Sequence, residues 1–254
     1  MIACLPMYDW PEERATIDAL WSAIRKALVA AGVPAPAGLT RSDNLWALWQ
    51  DPALVLGQTC GLPFRTRLHP SVSLVGALDY GLPDAPPGYY YSEIVVRADQ
   101  PGTFTDFLDR RLAINEFVSQ SGWASIQNMA LAQRAGFSAA LPTGAHRHSA
   151  EAVASGHADI AAIDAVTWRL IRRHQPALAA GLRSLGRTPP TPGLPLITAQ
   201  RETETIAAAV AAAIASLAPE TARMAGIRGF VRIPAAAYLA VPTPATVPAL
   251  SPAD

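Results

Sequence analysis

Two segments of this sequence carry polar side chains in an order that suits the recognition of an anion. The first, Asn115-Glu116-Phe117-Val118-Ser119-Gln120-Ser121-Gly122-Trp123, runs from the end of an apolar strand pattern into the start of a helix pattern. Ser119 and Ser121 supply hydroxyl donors, and Gly122 allows close approach to the backbone. The first turn of the helix adds N–H groups that have no helical acceptor and lie at the positive end of the peptide dipole. A serine in such a place also serves simply as a helix cap, with no ligand involved. The second segment, Thr143-Gly144-Ala145-His146-Arg147-His148-Ser149, repeats the passage from strand end to helix start. A histidine at a helix N-terminus tends to stay neutral and can donate one N–H to an anion. For His148 and His157 a surface position is the simpler reading. In an open α/β sheet the loops at the strand carboxyl ends face one crevice, which would bring Ser121 and His146 together.

Other chemistries fit these residues less well. A metal site from His146, His148, His157 and Asp159 fails on spacing, because the rings of a His-x-His pair on a helix point to different faces, whereas ligands on one face recur at i, i+4. A Ser121, His146, Asp164 triad has the right residue types, but no G-x-S-x-G elbow surrounds Ser121. Asp164 closes the apolar strand Ala158-Asp159-Ile160-Ala161-Ala162-Ile163-Asp164. There it suits a cap on the next helix, or an acceptor for an amine-bearing or protonated ligand group. In the first part of the chain the corresponding loop positions are Met7-Tyr8 and Gln58-Thr59-Cys60-Gly61. Tyr89, Tyr90 and Tyr91 lie at a break between two sets of elements, and alternation along a strand should turn at least one ring toward a crevice.

Composition narrows the classes. The chain of 254 residues has 20 basic and 20 acidic side chains, so it lacks the basic excess of a nucleic-acid binder. Half of the residues are hydrophobic and 16% are charged, enough to build a large core. Lys26 is the single lysine and sits inside a helical pattern with no glycine-rich loop before it, which speaks against phosphate-loop NTPases, pyridoxal-phosphate enzymes and lysine aldolases. Cys4 and Cys60 are too few for a disulfide scaffold and have no metal-ligand spacing, while one bridge between them stays open. No apolar run reaches the roughly 18 residues of a membrane span, and no secretory leader pattern is present, so the chain reads as soluble and either cytosolic or already stripped of a leader.

The elements that must position these residues follow from the hydrophobic pattern. IACLPM reads as a buried strand, DWPEE opens a helix that ends near Gly32, and SDNLWALWQ forms a second helix opened by Ser42 or Asp43. With a short segment to Thr40 between the two helices and the strand ALVLGQ after them, the pattern reads β-α-β-α-β and predicts a mostly parallel sheet covered by helices, to which SVSLVGAL adds another strand. After the break DYGLPDAPPG comes a second α/β set. It contains the strands YYYSEIVVRAD, RLAINE, one near Ala139, ADIAAID and LRSLGR. Its helices are a short one near TFTDFL, one from Ser121 to Arg134, one from about His146 to Ser155, and AVTWRLIRRH. A second break, TPPTPGLP, leads to the strand LITA, the helix ETETIAAAVAAAIASL and an Ala-rich tail. One α/β set between two breaks predicts an inserted lobe, residues 89–191, within a lobe formed by 1–88 plus 192–254, the two joined by two crossovers and able to hinge.

The succession LPMYDWPE, LVLGQTCGLPF, YYSEIVVRAD, INEFVSQSGW, TGAHRHSAEAVASGHADIAAID and TPPTPGLPLI resembles, in order and over nearly the whole chain, the phosphate/phosphite/phosphonate substrate-binding proteins of ABC importers. The resemblance implies an α/β, two-lobed type 2 periplasmic-binding-protein fold with a small anionic ligand held between the lobes. It implies a non-catalytic, monomeric binder, with an ABC permease as partner, a periplasmic location, no cofactor or metal, no nucleic acid and no membrane insertion. Carried over residue by residue, it places ligand contacts at Ser119, Ser121, Gly122, His146, Asp164, Tyr8, and Tyr90 or Tyr91. Gln58, Thr59, Gln120 and Trp123 complete the expected site. At Gln120 the family usually has another small hydroxyl residue, so one donor is replaced by a bulky amide. Cys60 and Trp123 suggest a ligand with an apolar or planar part. Competing readings are a cytosolic lyase or transferase of the same fold, using Ser121, His146 and Asp164 as an acid/base set on a small carboxylate, and a ligand sensor without a transporter.

Overall fold

The computed structural model describes residues 1–244 and the backbone of Ala249–Leu250. The chain begins with β1 (Ile2–Cys4), a 3-10 turn at Pro6–Tyr8 and helix α1 (Arg14–Ala30). α1 buries Ile17, Leu20, Trp21, Ile24 and Leu28, the spacing of a single apolar stripe. Helix α2 (Leu45–Trp49) is capped by Asn44, whose side chain accepts from the Ala47 N–H at 3.1 Å, a step later than Ser42 or Asp43. Then come β2 (Leu54–Gln58), the short α3 (Gly61–Pro63) continued by a π-turn at Phe64–Leu68, and β3 (Ser73–Asp79).

Strands β4 (Tyr89–Tyr90) and β5 (Ser92–Arg97) lead through a 3-10 turn at Phe104–Phe107 to β6 (Arg111–Ile114). A π-turn at Gln120–Ala124 runs into α4 (Ser125–Ala132). β7 (Ala139–Pro142), α5 (His146–Ala154), β8 (Ile160–Asp164), α6 (Ala165–His174), α7 (Pro176–Ala180) and β9 (Leu182–Arg187) follow. The last part holds β10 (Thr191–Pro192), β11 (Pro195–Thr198), α8 (Thr203–Ala215), α9 (Pro219–Ala225), β12 (Gly229–Val231), α10 (Ala235–Leu239) and β13 (Ala249–Leu250). Among the described residues no single helix is long and apolar enough to cross a membrane.

The chain divides into two compact units, Met1–Tyr89 with Pro192–Ala240, and Tyr90–Thr191 with Val241–Asp254. The first unit holds a five-stranded sheet in the order β1-β2-β11-β3-β12. β1 and β2 are parallel, but β11 is antiparallel to both β2 and β3, and β12 is antiparallel to β3. The β-α-β-α-β pattern is thus right about direction, since β1, β2 and β3 all run the same way, and wrong about a mostly parallel ladder. The returning strand β11, with all four residues buried, lies between β2 and β3.

The second unit holds a six-stranded sheet in the order β13-β7-β6-β8-β5-β9. β13, β7, β6 and β8 are mutually parallel along the ladder, while β5 is antiparallel to β8 and to β9. β8 is buried along its whole length, with α5 and α6 packed on it, and each of its isoleucines contributes on the order of 1.5–3 kcal/mol by leaving water. The sequence pattern places 192–254 with the first lobe, but from Val241 on the chain groups with the second unit. There Asn128 Nδ2 donates to the Pro242 carbonyl at 2.9 Å, and Ala249–Leu250 pair with Ala139–Ala140. Residues 245–248 and 251–254 of that expectation lie outside the described residues.

Strands β4 and β10 pair where the chain passes between the units. Just before and after them, Gly193 N–H donates to the Gly88 carbonyl at 2.9 Å, and a Cβ on Gly193 would stand 2.5 Å from that oxygen. No side-chain rotation relieves a clash with a backbone carbonyl. Gly193→Ala is therefore expected to lower stability by about 1–3 kcal/mol, read as a reduced urea midpoint. An unchanged midpoint would refute the close-approach argument.

Candidate functional site

Because β6, β7 and β8 are parallel, their carboxyl ends share one edge of the second sheet, and the antiparallel β5 brings its first residue to the same edge. That edge collects Asn115 and the Ser119 turn after β6, Thr143 and His146 after β7, Asp164 at the end of β8, and Ser92 at the start of β5. The Thr143 and Gly144 N–H groups donate to the Ile114 and Asn115 carbonyls at 2.8 and 2.9 Å, so the two loops are joined through main chain.

The two serines of the turn divide their work. Ser119 is the N-cap, its Oγ accepting from the Gly122 N–H at 2.9 Å. Ser121 Oγ is hydrogen-bonded to His146 Nε2 at 2.8 Å and lies 3.4 Å from Ser119 Oγ. Gly122 has no room for a side chain. A Cβ there would overlap Asn115 Oδ1 and come within 3.1 Å of His146 Cε1. Asn115 Oδ1 is buried with no hydrogen-bond partner, which leaves an acceptor directed at the turn.

Burial pulls the pKa of His146 down to about 4, only partly offset by the nearby Ala162 carbonyl. An edge of the residue reaches water, but Nδ1 does not, and the Ala162 carbonyl is outside hydrogen-bond geometry from it, so Nδ1 has no bonded partner. The ring is neutral at physiological pH. Asp164 Oδ1 accepts from the Thr167 N–H at 2.8 Å and caps α6. Neither nitrogen of His146 bonds to Asp164, so the geometry is not that of a Ser-His-Asp relay.

Of the other expected residues in this unit, Gln120 is buried and Trp123, 2% exposed, packs edge-to-face on Phe117 at 5.2 Å. Tyr90 and Tyr91 are buried, and Arg187 lies over the Tyr91 ring, Cζ 4.7 Å from its centroid. His148 Nδ1 bonds to the Thr143 carbonyl and His157 Nδ1 to Ser155 Oγ, local roles for both. Among the described residues no group of three or more His, Cys, Asp or Glu could hold a metal ion.

In the first unit the carboxyl ends of β1, β2 and β3 also share an edge, where Tyr8, Gln58, Thr59 and Tyr80 lie. Tyr8 and Tyr80 meet edge-to-face at 5.2 Å, and Gln58 Nε2 donates to the Tyr80 hydroxyl at 3.4 Å. Thr59 is fully buried and its Oγ1 has no hydrogen-bond partner. Cys60 precedes α3, half-buried, and Cys4 lies in the core, where burial pushes its thiol up to about 12. No disulfide joins Cys4 and Cys60.

A sequence profile of the family described as "ABC transporter, phosphonate, periplasmic substrate-binding protein" matches residues 43–238. The chain belongs to that family. Its fold is that of solved two-lobed binding proteins, all distant in sequence. PhnD1 from Prochlorococcus marinus, in complex with methylphosphonate, superposes with a TM-score of 0.70 at 16% identity, over 93% of each chain. A binding protein component of an ABC phosphonate transporter from Pseudomonas aeruginosa gives 0.66 at 14% identity, over 91% of this chain and 80% of that one. A Xanthomonas citri protein bound to ATP gives 0.66 at 14% identity, over 88% of each. No curated protein sequence matches.

For a phosphonate-family chain, sequence reasoning overlooks Asn115, Tyr80, Ser92, Ser125 and Thr188. Tyr80 directly follows β3, the third co-directional strand, so the rule that selects Tyr8 and Gln58 also finds it. Asn115 stands first in the Asn115–Trp123 segment and is singled out only by its contact with Gly122.

The neutral His146 makes stability depend on pH. Below pH 6.5 the unfolded chain binds a proton at this residue while the folded chain refuses it until about 4, so falling pH favours unfolding across that window. Allowing for the ring edge in water, the loss is on the order of 2 kcal/mol. Urea midpoints at pH 6.5 and 4 should therefore fall less in His146→Gln than in the unsubstituted protein. Equal falls would show that His146 is not held neutral.

Proposed function

We propose that this chain is the solute-binding component of an ABC importer and binds a small phosphonate or related phosphorus oxyanion. The observation that carries the reading is the Ser121 turn, with its 2.8 Å bond to a neutral His146. An oxyanion at the N-terminus of a helix meets N–H groups that lack helical acceptors and the positive end of the peptide dipole. With the proton of the neutral imidazole on Nε2, His146 donates to Ser121 Oγ and the serine O–H turns to the anion, a chain of donors that polarise one another.

The other expected contacts have separate tasks. Asn115 and Gly122 keep the turn open to the ligand. Asp164, the cap of α6, accepts from an amine or protonated group on the ligand. Tyr8, Gln58 and Thr59 supply further contacts to the ligand, and the liganded protein is the state a permease recognises. The site makes and breaks no bond, and the protein works in the periplasm as its family does.

Isothermal titration with methylphosphonate, phosphite and phosphate tests this. At least one should bind and raise the melting temperature, and Ser121→Ala should weaken it by about 1–3 kcal/mol, roughly 5- to 150-fold in Kd. Phosphorus NMR of the recovered ligand should show it unchanged. Equal affinity of the Ser121→Ala protein would remove the turn from the site, and turnover of the ligand would overturn the non-catalytic reading.

A further inference from the structure

The carbonyl of Ser121 is held from two directions. Ser125 Oγ donates to it at 2.7 Å, the bond a helical serine makes to the residue four before it. Ser92 Oγ donates to the same oxygen at 3.0 Å from a different element, the first residue of β5. The turn creates the need for these donors. Its bonds are of the π type, Ala124 N–H donating to the Ser119 carbonyl and Ser125 N–H to the Gln120 carbonyl, so the Ser125 N–H that would reach Ser121 in a regular helix is spent elsewhere.

Ser92 is itself fixed with care. It is 1% exposed, its N–H donates to Thr188 Oγ1 at 2.9 Å, and the Thr188 N–H donates to the Ser92 carbonyl at 2.9 Å. On its other side it is the register partner of Asp164. Thr188 is also buried, 2% exposed. Ser92 lies just after the chain enters the second unit at Tyr90, and Thr188 just before it leaves at Thr191. A hydroxyl at so buried a position costs stability unless bonded, and alanine would fill nearly the same space. The group that the Ser92 hydroxyl serves is the main chain of Ser121.

We propose that Ser92 is a positioning residue for the oxyanion turn. Through the Ser121 carbonyl it sets the direction of the Ser121 side chain toward His146, and through Thr188 it ties that direction to the strands by which the chain enters and leaves the second unit. The proposal rests on the Ser121 turn being the ligand site, and its test separates the two claims.

The first measurement uses the full-length protein without ligand. Nitrogen NMR of the His146 ring reports the bond at Nε2. Ser92→Ala, and Thr188→Val as a variant that keeps shape while deleting the Oγ1 acceptor, should both shift the His146 nitrogen resonances with the fold retained by circular dichroism. Ser92→Thr, which restores a hydroxyl, should return them toward the original values. The second measurement is titration with methylphosphonate, where Ser92→Ala should bind roughly 3- to 10-fold more weakly, the loss of one neutral hydrogen bond acting on the site. Unmoved His146 resonances in folded Ser92→Ala and Thr188→Val overturn the positioning role. Shifted resonances in a protein that binds neither methylphosphonate nor phosphate support the positioning role and sink the functional reading instead.

Discussion

The hydrogen bond between Ser121 and His146 is the interaction on which the candidate site depends, and most of its surroundings are conditions for that bond. The imidazole must be neutral for Nε2 either to accept from or donate to a hydroxyl at 2.8 Å without carrying a charge into the interior. Burial meets that condition, at the cost of an Nδ1 with no bonded partner. The ring must also lie against the turn, which only a glycine at position 122 permits. Ser119, as the cap, holds the Gly122 N–H and so fixes the place where the ring rests. A charged histidine or an alanine at 122 would each undo the arrangement by a different route.

The sheets explain why these groups meet at all. In each unit co-directional strands, β1, β2 and β3 in one and β6, β7 and β8 in the other, deliver their following loops to one edge, so residues far apart in sequence become neighbours without any loop having to be long. Reversed strands then add what the co-directional ones cannot. β5 runs against β8, so its first residue, and not its last, reaches the edge where β8 ends, and Ser92 faces Asp164. In the first unit the reversed β11 separates β2 from β3 and takes the Thr59 N–H on the Pro195 carbonyl at 3.0 Å. A fully parallel sheet would place neither group where it is.

Much of this was legible in the sequence. The change from strand to helix periodicity marks Asn115–Trp123 and Thr143–Ser149, and the rule about strand carboxyl ends then joins Ser121 to His146. The division of labour between Ser119 and Ser121 was not legible, because two serines at i, i+2 offer the same chemistry until the turn is built. The turn itself is a π-turn, and its bonding pattern follows from tertiary packing, for which no residue signal exists. Ser92 and Thr188 are 96 residues apart and meet only through the pairing of β5 with β9. The short α7, α9, β12 and α10 were missed because three to seven residues hold too little periodicity to read. The pairing of Ala249–Leu250 with β7 carried no turn signal that would assign the tail to the second unit.

The scarcity of lysine gains a physical meaning beside this geometry. A cationic pocket attracts any anion and tolerates imprecise placement, since a point charge acts in all directions. A site of hydroxyls, main-chain N–H groups and a neutral ring has no such reserve. It must replace the water around an oxyanion with oriented dipoles, and each misdirected donor leaves part of the desolvation cost unmet. Affinity then depends on how accurately a few O–H and N–H bonds point. In such a site the residues behind the turn would count as much as those that touch the anion, and here Ser92 and Ser125 hold the Ser121 carbonyl while Thr188 holds Ser92. Selectivity has the same origin, because ligands of equal charge but different oxygen geometry meet the same fixed donors and satisfy them unequally.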